Sequence, residues 1–260
     1  MRIPAATCGV LGLKTTHGVI DTTGCAPLAP SLDTIGVLAR RTEDARLAMR
    51  VLAPDLPVAQ HAGPWRMKAW LPESALDAQV HAQAQAWLAA QSVEAIDLSD
   101  AHRTLSVHAQ RVLCYEAGQT HRAALLAGEA DAAVQGLGWT GLSMPEAWYR
   151  ESIAVRGTLL ADWVTQVFDT AQVLVLPSLP HGVPDWQEVH VGDPRFDARA
   201  LLAMHHFMGF VNYLGLPALN LPIGQDARQR PVCVQLVARP YAEHLLLDIA
   251  AHHASSFACS

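Results

Sequence analysis

The sequence predicts an α/β protein, and three stretches carry that prediction. Residues 67–71, 73–90 and 93–98 read as strand, Ala- and Gln-rich helix and strand with short joints, which is a βαβ unit. Val173-Leu174-Val175-Leu176 is a continuous apolar run closed by Pro177 and Pro180, the pattern of a buried strand. Two alternating segments then flank a polar turn at 225–230 and read as paired strands.

The remaining elements follow in chain order. Residues 1–24 are rich in Gly and Thr, with Val10 to Leu13 as a short buried strand and His17 to Ile20 after it. Pro27, Pro30 and Ser31 mark a turn-rich loop. Thr42-Glu43-Asp44 opens a helix, since Thr caps and the dipole favours acidic residues in the first turn. Ala45, Ala48, Met49 and Leu52 share its inner face, and Pro54 ends it. Residues 54–64 read as a linker. In the 73–90 helix Leu76, Val80, Ala84 and Trp87 face one way. Residues 101–126 are helical, 131–150 irregular with their glycines and Pro145, and 151–168 helical again. Residues 181–196 form a polar loop. A last helix over 243–253 buries Leu246, Leu247 and Ile249.

With 260 residues the chain can bury a substantial core; 51% hydrophobic and 16% charged residues exclude a disordered chain. The net charge of −6, with Lys and Arg scattered, gives no basic stripe for nucleic acid or an anionic membrane. No signal peptide and no apolar run of about 18 residues is present. Five widely spaced cysteines without a C-x-x-C read as free thiols, so the expected compartment is the cytoplasm.

Few motifs invite chemistry of their own. Gly136-Leu137-Gly138-Trp139-Thr140-Gly141 satisfies G-x-G-x-x-G, but no strand precedes it and Pro145 follows, so it reads as a loop rather than a dinucleotide fingerprint. His205-His206 and His252-His253 are adjacent pairs whose side chains diverge, and no H-E-x-x-H occurs, so no metal is expected. Ser178, beside Pro177, reads as a loop residue rather than a nucleophile, and no G-x-S-x-G elbow surrounds it.

Met1-Arg2-Ile3-Pro4-Ala5-Ala6-Thr7-Cys8-Gly9-Val10-Leu11-Gly12-Leu13-Lys14-Thr15 and Ala29-Pro30-Ser31-Leu32-Asp33-Thr34-Ile35-Gly36 carry a family resemblance. So do Val173 to Pro180, the run Asn212 to Pro222 with its Gly215-Leu216-Pro217-Ala218 core, and Pro231 to Pro240. Together they resemble the amidase signature family of serine amide hydrolases, closely at both ends and loosely in the middle. The resemblance implies a twisted mixed β-sheet covered by helices, with residues 1–260 as the C-terminal portion of a single amidase signature domain lacking its N-terminal part.

The family hydrolyses a carboxylic amide to acid and amine. It uses the serine of a G-G-S motif, a second serine with a cis peptide, and a lysine. The nucleophile lies two residues before the family arginine, which Arg2 matches, so its place falls one residue before Met1. The resemblance therefore assigns no catalytic residue, metal or cofactor to this chain. It implies support of the nucleophile loop for Arg2, against the alternative of a surface arginine. Lys14 falls in the family's G-[FL]-K-P-T, which is not the catalytic lysine. Glu116 and His121 match a segment that is usually structural, and the 181–196 loop and Asn212 match residues near the substrate pocket.

Two functional expectations follow. In the first, the active amidase is longer than this chain, which lacks the nucleophile and lysine. A start at Met1 leaves apolar surface of the sheet without partners. In the alternative, a catalytically inactive fragment acts as a binding or scaffold subunit. The expected partners are a small-molecule amide if the site is completed, and an N-terminal complementing chain or a homo-oligomer, with no nucleic acid and no membrane.

Overall fold

The structure is a computed structural model that describes residues 1–56 and 64–257, with side chains described as far as residue 253. Most of the linker expected at 54–64 lies outside the described residues. In chain order the elements are α1 (Arg2–Cys8), β1 (Leu11–Lys14), β2 (Gly36–Ala39), α2 (Thr42–Leu52), β3 (Met67–Ala69), α3 (Ala78–Leu88), β4 (Val93–Ala95), α4 (Ser99–Thr120), α5 (Arg122–Ala127), α6 (Ala132–Leu142) and α7 (Glu146–Phe168). They continue as β5 (Val173–Pro177), α8 (Trp186–Val189), α9 (Ala198–Ala203), α10 (Gly209–Tyr213), β6 (Ala218–Gln225), β7 (Pro231–Ala238) and α11 (Glu243–Phe257).

The strands form one mixed sheet of seven, ordered β2-β1-β6-β7-β5-β3-β4. β3 is parallel to β4 and to β5, which is the expected βαβ unit extended by one strand. The pairs from β5 through β7, β6 and β1 to β2 are antiparallel. A bulge between Pro222 and Gly224 interrupts the β6–β7 ladder beside a proline that cannot donate to it.

Side chains alternate across the strands, so the sheet has two distinct faces. One face carries Leu11 and Leu13, Leu219, Leu221, Val234, Leu236, Val173 and Val175, packed against α2, α3 and α11 through Met49, Ala84, Leu246 and Leu247. The other carries Leu174, Leu176, Ala218 and Val237, packed against α4, α7 and α10 through Val112, Trp163, Val167 and Phe210. The positions of this second face on the middle strands are different in kind: Gly12 and Lys14 on β1, Asn220 on β6, Cys233 and Gln235 on β7. α1 lies over them, close enough that a Cβ on Gly12 would collide with that of Ala5.

The structure corrects several readings. Residues 2–8 form a helix that the sequence reading did not assign, ended by Gly9 in the left-handed region at φ 65°. The stretch 131–150 is mostly helical, and the G-x-G-x-x-G lies on α6 instead of in a loop. Two of its three glycines serve packing. A Cβ on Gly141 would strike the Cys114 carbonyl on α4, and one on Gly138 the Leu125 side chain. A Cβ on Gly118 of α4 would also crowd α6, 2.8 Å from the Gly138 carbonyl. Tertiary contact overrides the poor helix propensity of glycine here. α7 begins at Glu146, directly after Pro145, rather than at 151. The expected 181–196 loop contains the short helix α8, closed by a capping box between Asp185 and Glu188. β2 was not anticipated.

Candidate functional site

The polar strip beneath α1 assembles around Arg2. This arginine is 4% exposed, so the surface reading of it fails. Its guanidinium donates to Gln235 Oε1 on β7, to the Met208 carbonyl at 3.0 Å, and to Asn212 Oδ1 on α10 at 2.6 Å. Gln235 completes the ring by donating to the Phe207 carbonyl at 3.1 Å. Burial pulls the Arg2 pKa below the ordinary arginine range. The guanidinium stays protonated at neutral pH and depends on these acceptors for its solvation.

Further along the same face, Ser178 Oγ donates to Asn220 Oδ1 at 2.6 Å, and Asn220 Nδ2 donates to the Val10 carbonyl at 2.9 Å. Ser178 is fully buried, and its hydroxyl is spent on Asn220. Toward the start of α1, Lys14 Nζ donates to the Thr15 carbonyl at 3.0 Å and the Leu216 carbonyl at 2.9 Å. Burial, reinforced by Arg2, pushes its pKa well down, with Glu243 opposing. Glu243 takes the Thr16 amide at 2.6 Å.

The turn after α10 ties this cluster to a second one. The His17 amide donates to the Gly215 carbonyl at 3.0 Å, and its ring Nε2 bonds the Pro30 carbonyl at 3.2 Å. Arg156 of α7 stacks over the Tyr213 ring at 5.7 Å and donates to the Ser31 carbonyl at 3.0 Å. Glu116 of α4 receives the Ser31 amide, the Ser31 hydroxyl and the Tyr149 hydroxyl. The geometry brings Arg2 onto Asn212, while Lys14 bonds the Thr15 and Leu216 carbonyls further along the same face. It adds Gln235, Asn220, Arg156 and Tyr213, which the sequence reading missed. For Gln235 and Asn220 the signal was present, as polar residues in strands that are otherwise apolar.

The histidine pairs do not converge. His205 Nδ1 bonds the Leu201 carbonyl of α9, while His206 packs by its ring on His102 at 4.8 Å. Two surface hollows, of about 350 and 330 Å³, lie elsewhere. One sits between α3 and α11 at Trp65, Trp87 and His252, and the other beside Gly9, Arg40, Thr42 and Pro222 at the far end of α1. Among the described residues no helix is long and apolar enough to cross a membrane.

The fold is a seven-stranded mixed sheet with helices on both faces. The fold superposes on a crystal structure of an amidase with a TM-score of 0.84 at 25% identity, covering 98% of this chain and 60% of that one. It also matches, with a TM-score of 0.82 at 23% identity, a structure described as an unexpected vestigial protein complex that reveals the origins of an s-triazine catabolic enzyme. The chain belongs to the Amidase family, whose model matches residues 1–69 and 81–247.

Curated relatives include a glutamyl-tRNA(Gln) amidotransferase component of Methylocella silvestris, 25% identical over 297 residues. Another is the 2-amino-5-chloromuconic acid deaminase of Comamonas testosteroni, 29% identical over 275 residues. The match covers 96% of this chain in both cases, but 59% and 57% of those proteins. The chain spans somewhat over half the length of the curated relatives it matches.

Proposed function

We propose that residues 1–260 are the C-terminal portion of a single amidase signature domain, and that the complete site hydrolyses a carboxylic amide to acid and amine. Amide hydrolysis needs an activated hydroxyl, a base that later protonates the amine, and donors for the oxyanion. By family resemblance these come from a G-G-S serine next to α1, a second serine and a lysine, all outside these residues. This chain supplies the frame. The observation that carries the reading is the Arg2 cluster: one buried guanidinium fastens the first turn of α1 to β7 and α10. A nucleophile two residues before Arg2 is thereby held on a rigid support, which proximity catalysis requires. Burial of the polar strip also keeps water from competing for its hydrogen bonds.

The test is made on the protein as its own cells produce it. Its intact mass is measured, and ammonia release is assayed from aliphatic, aromatic and α-amino-acid amides. Hydrolysis by a species heavier than 28.0 kDa, or by this chain with a second chain bound, is the expected result. Robust hydrolysis by the isolated 28.0 kDa chain overturns the division of labour. An isolated chain of that mass without activity favours the inactive binding or scaffold role. In any active form Ser178→Ala leaves kcat within about threefold, because the Ser178 hydroxyl serves Asn220.

A further inference from the structure

We propose that Glu116 is a positioning residue for this amidase site: through Ser31 it fixes the 28–33 loop as a rigid wall of the substrate pocket. The inference rests on the amidase reading and extends it to residues that reading leaves in a purely structural role.

The geometry of the loop carries the argument. Its backbone is held at nearly every step. Asp33 turns back to accept the Leu28 and Ala29 amides at 2.8 and 3.0 Å, which shapes the loop from within. The external restraints then converge on two residues. The Pro30 carbonyl receives the His17 ring, and the Ser31 carbonyl receives Arg156 at 3.0 Å. The Ser31 amide and hydroxyl both donate to the Glu116 carboxylate, at 2.9 and 2.6 Å. Glu116 is 8% exposed, and it also accepts from Tyr149 at 3.0 Å, whose ring stacks on Tyr115 with centroids 4.3 Å apart. A carboxylate supplied with three donors from two elements is a specific clamp, and charge-assisted bonds of this kind are about twice as strong as neutral ones.

The place of the clamp makes it more than a fold contact. His17 and Arg156, the two other holders of the loop, are also the groups that meet Gly215, where a Cβ would lie 3.2 Å from His17 and 3.4 Å from Arg156. Gly215 ends the same turn whose Asn212 accepts from Arg2. The loop and the first turn of α1 therefore share one support. Within the loop Ala29 and Leu32 are buried and Pro30 is exposed, so Pro30 is what the loop presents outward beside that support. Loosening Glu116 frees the loop without touching the Arg2 bonds, so it alters where a substrate rests more than how the nucleophile is held.

The experiment compares wild type, Glu116→Ala and Glu116→Gln in the hydrolytically active form of the protein, with hydrogen exchange on the same samples. In Glu116→Ala the Ser31 amide exchanges at least tenfold faster, while the Leu28 and Ala29 amides, held by Asp33, are unchanged. KM for the amide rises about tenfold or more and kcat changes less than threefold. Glu116→Gln restores KM to within about threefold, because its carbonyl accepts the Ser31 amide and its NH2 donates to a hydroxyl oxygen. Faster exchange with KM unchanged shows a fold contact only and overturns the proposal, as does an unchanged exchange rate. If wild type hydrolyses none of the amides, it is the amidase reading that fails, and a normal wild type with an unaffected Glu116→Ala removes this inference alone.

Discussion

At the scale of single residues, the site is an exercise in solvating one buried cation. Arg2 leaves water almost entirely, and three acceptors from Gln235, Met208 and Asn212 replace its hydration. Those acceptors are largely buried as well, so they depend on Arg2 as much as it depends on them. Arg2→Met keeps most of the volume and removes every donor. Such bonds to a charged group contribute roughly 1.5–3 kcal/mol each, and stranded acceptors add their own penalty. We expect a loss of at least about 3 kcal/mol in urea unfolding at pH 7. Arg2→Lys rescues little, since a point charge cannot span a fork of acceptors. A loss below about 1 kcal/mol for Arg2→Met would show that the cluster is not what holds α1. The motif in the sequence identifies Arg2 as important. Its burial and its partners were not legible there, because they come from 206 to 233 residues away along the chain.

At the scale of elements, the α4–α6 contact shows why glycine misleads a reader of sequence. The three glycines of 136–141 look like loop punctuation, and Pro145 reinforces the impression. Two of them instead remove side chains where helices meet, and the third faces open space. Gly141→Ala places a methyl against the Cys114 carbonyl, and backbone cannot yield as a side chain does. Overpacking of this kind costs about 1–3 kcal/mol or more, which lowers Tm by roughly 2–12 °C in a chain of this size. Gly136→Ala, on the open side of the same helix, gains about 0.5–1 kcal/mol from propensity. Calorimetry of the two variants separates the packed helix from a loop, because in a loop neither substitution shifts Tm in this opposed manner. The elements that were legible are those whose own pattern decides them: the apolar β5, the alternating β6 and β7, and the β3–α3–β4 unit. The β2 edge strand and α1 were not, since each takes its form from what it packs on. Within the described sheet β2 pairs with β1 alone, from Leu11↔Ala39 to Lys14↔Gly36, and α1 sits on a polar strip that only the assembled sheet creates.

At the scale of the whole molecule, the two faces of the sheet carry a shared dependence on neutral histidine. His253 of α11 joins three elements: Trp87 Nε1 of α3 donates to its Nδ1 at 3.1 Å, and its Nε2–H donates to the Pro222 carbonyl of β6 at 3.1 Å. Both ring nitrogens are engaged as the neutral tautomer engages them, so a proton on Nδ1 would oppose the Trp87 N–H. Burial lowers the His253 pKa against a minor rise from the Pro222 bond, and neighbouring His252 lowers it further. On the opposite face burial likewise lowers His102 and His206, packed ring to ring. A histidine whose pKa is lower in the fold than in the unfolded chain gives the unfolded state more protons as pH falls. Its contribution is therefore complete above the unfolded value of 6.5 and is lost as pH drops through 6.5 toward the folded value. The carboxylates that the fold favours as anions, such as Asp169 and Asp185, have pKa values lowered from 3.8 and start to matter only below about pH 5. The decline between pH 6.5 and about 5 thus belongs to the histidines. We expect the urea midpoint to fall steadily from about pH 7.5 to about 5.5, the range that brackets the unperturbed histidine value, with a change in tryptophan emission that is smaller in Trp87→Phe. A midpoint flat across that range would mean that these histidines accept a proton as readily folded as unfolded, and that the Trp87–His253–Pro222 chain does not fasten α11 to the sheet.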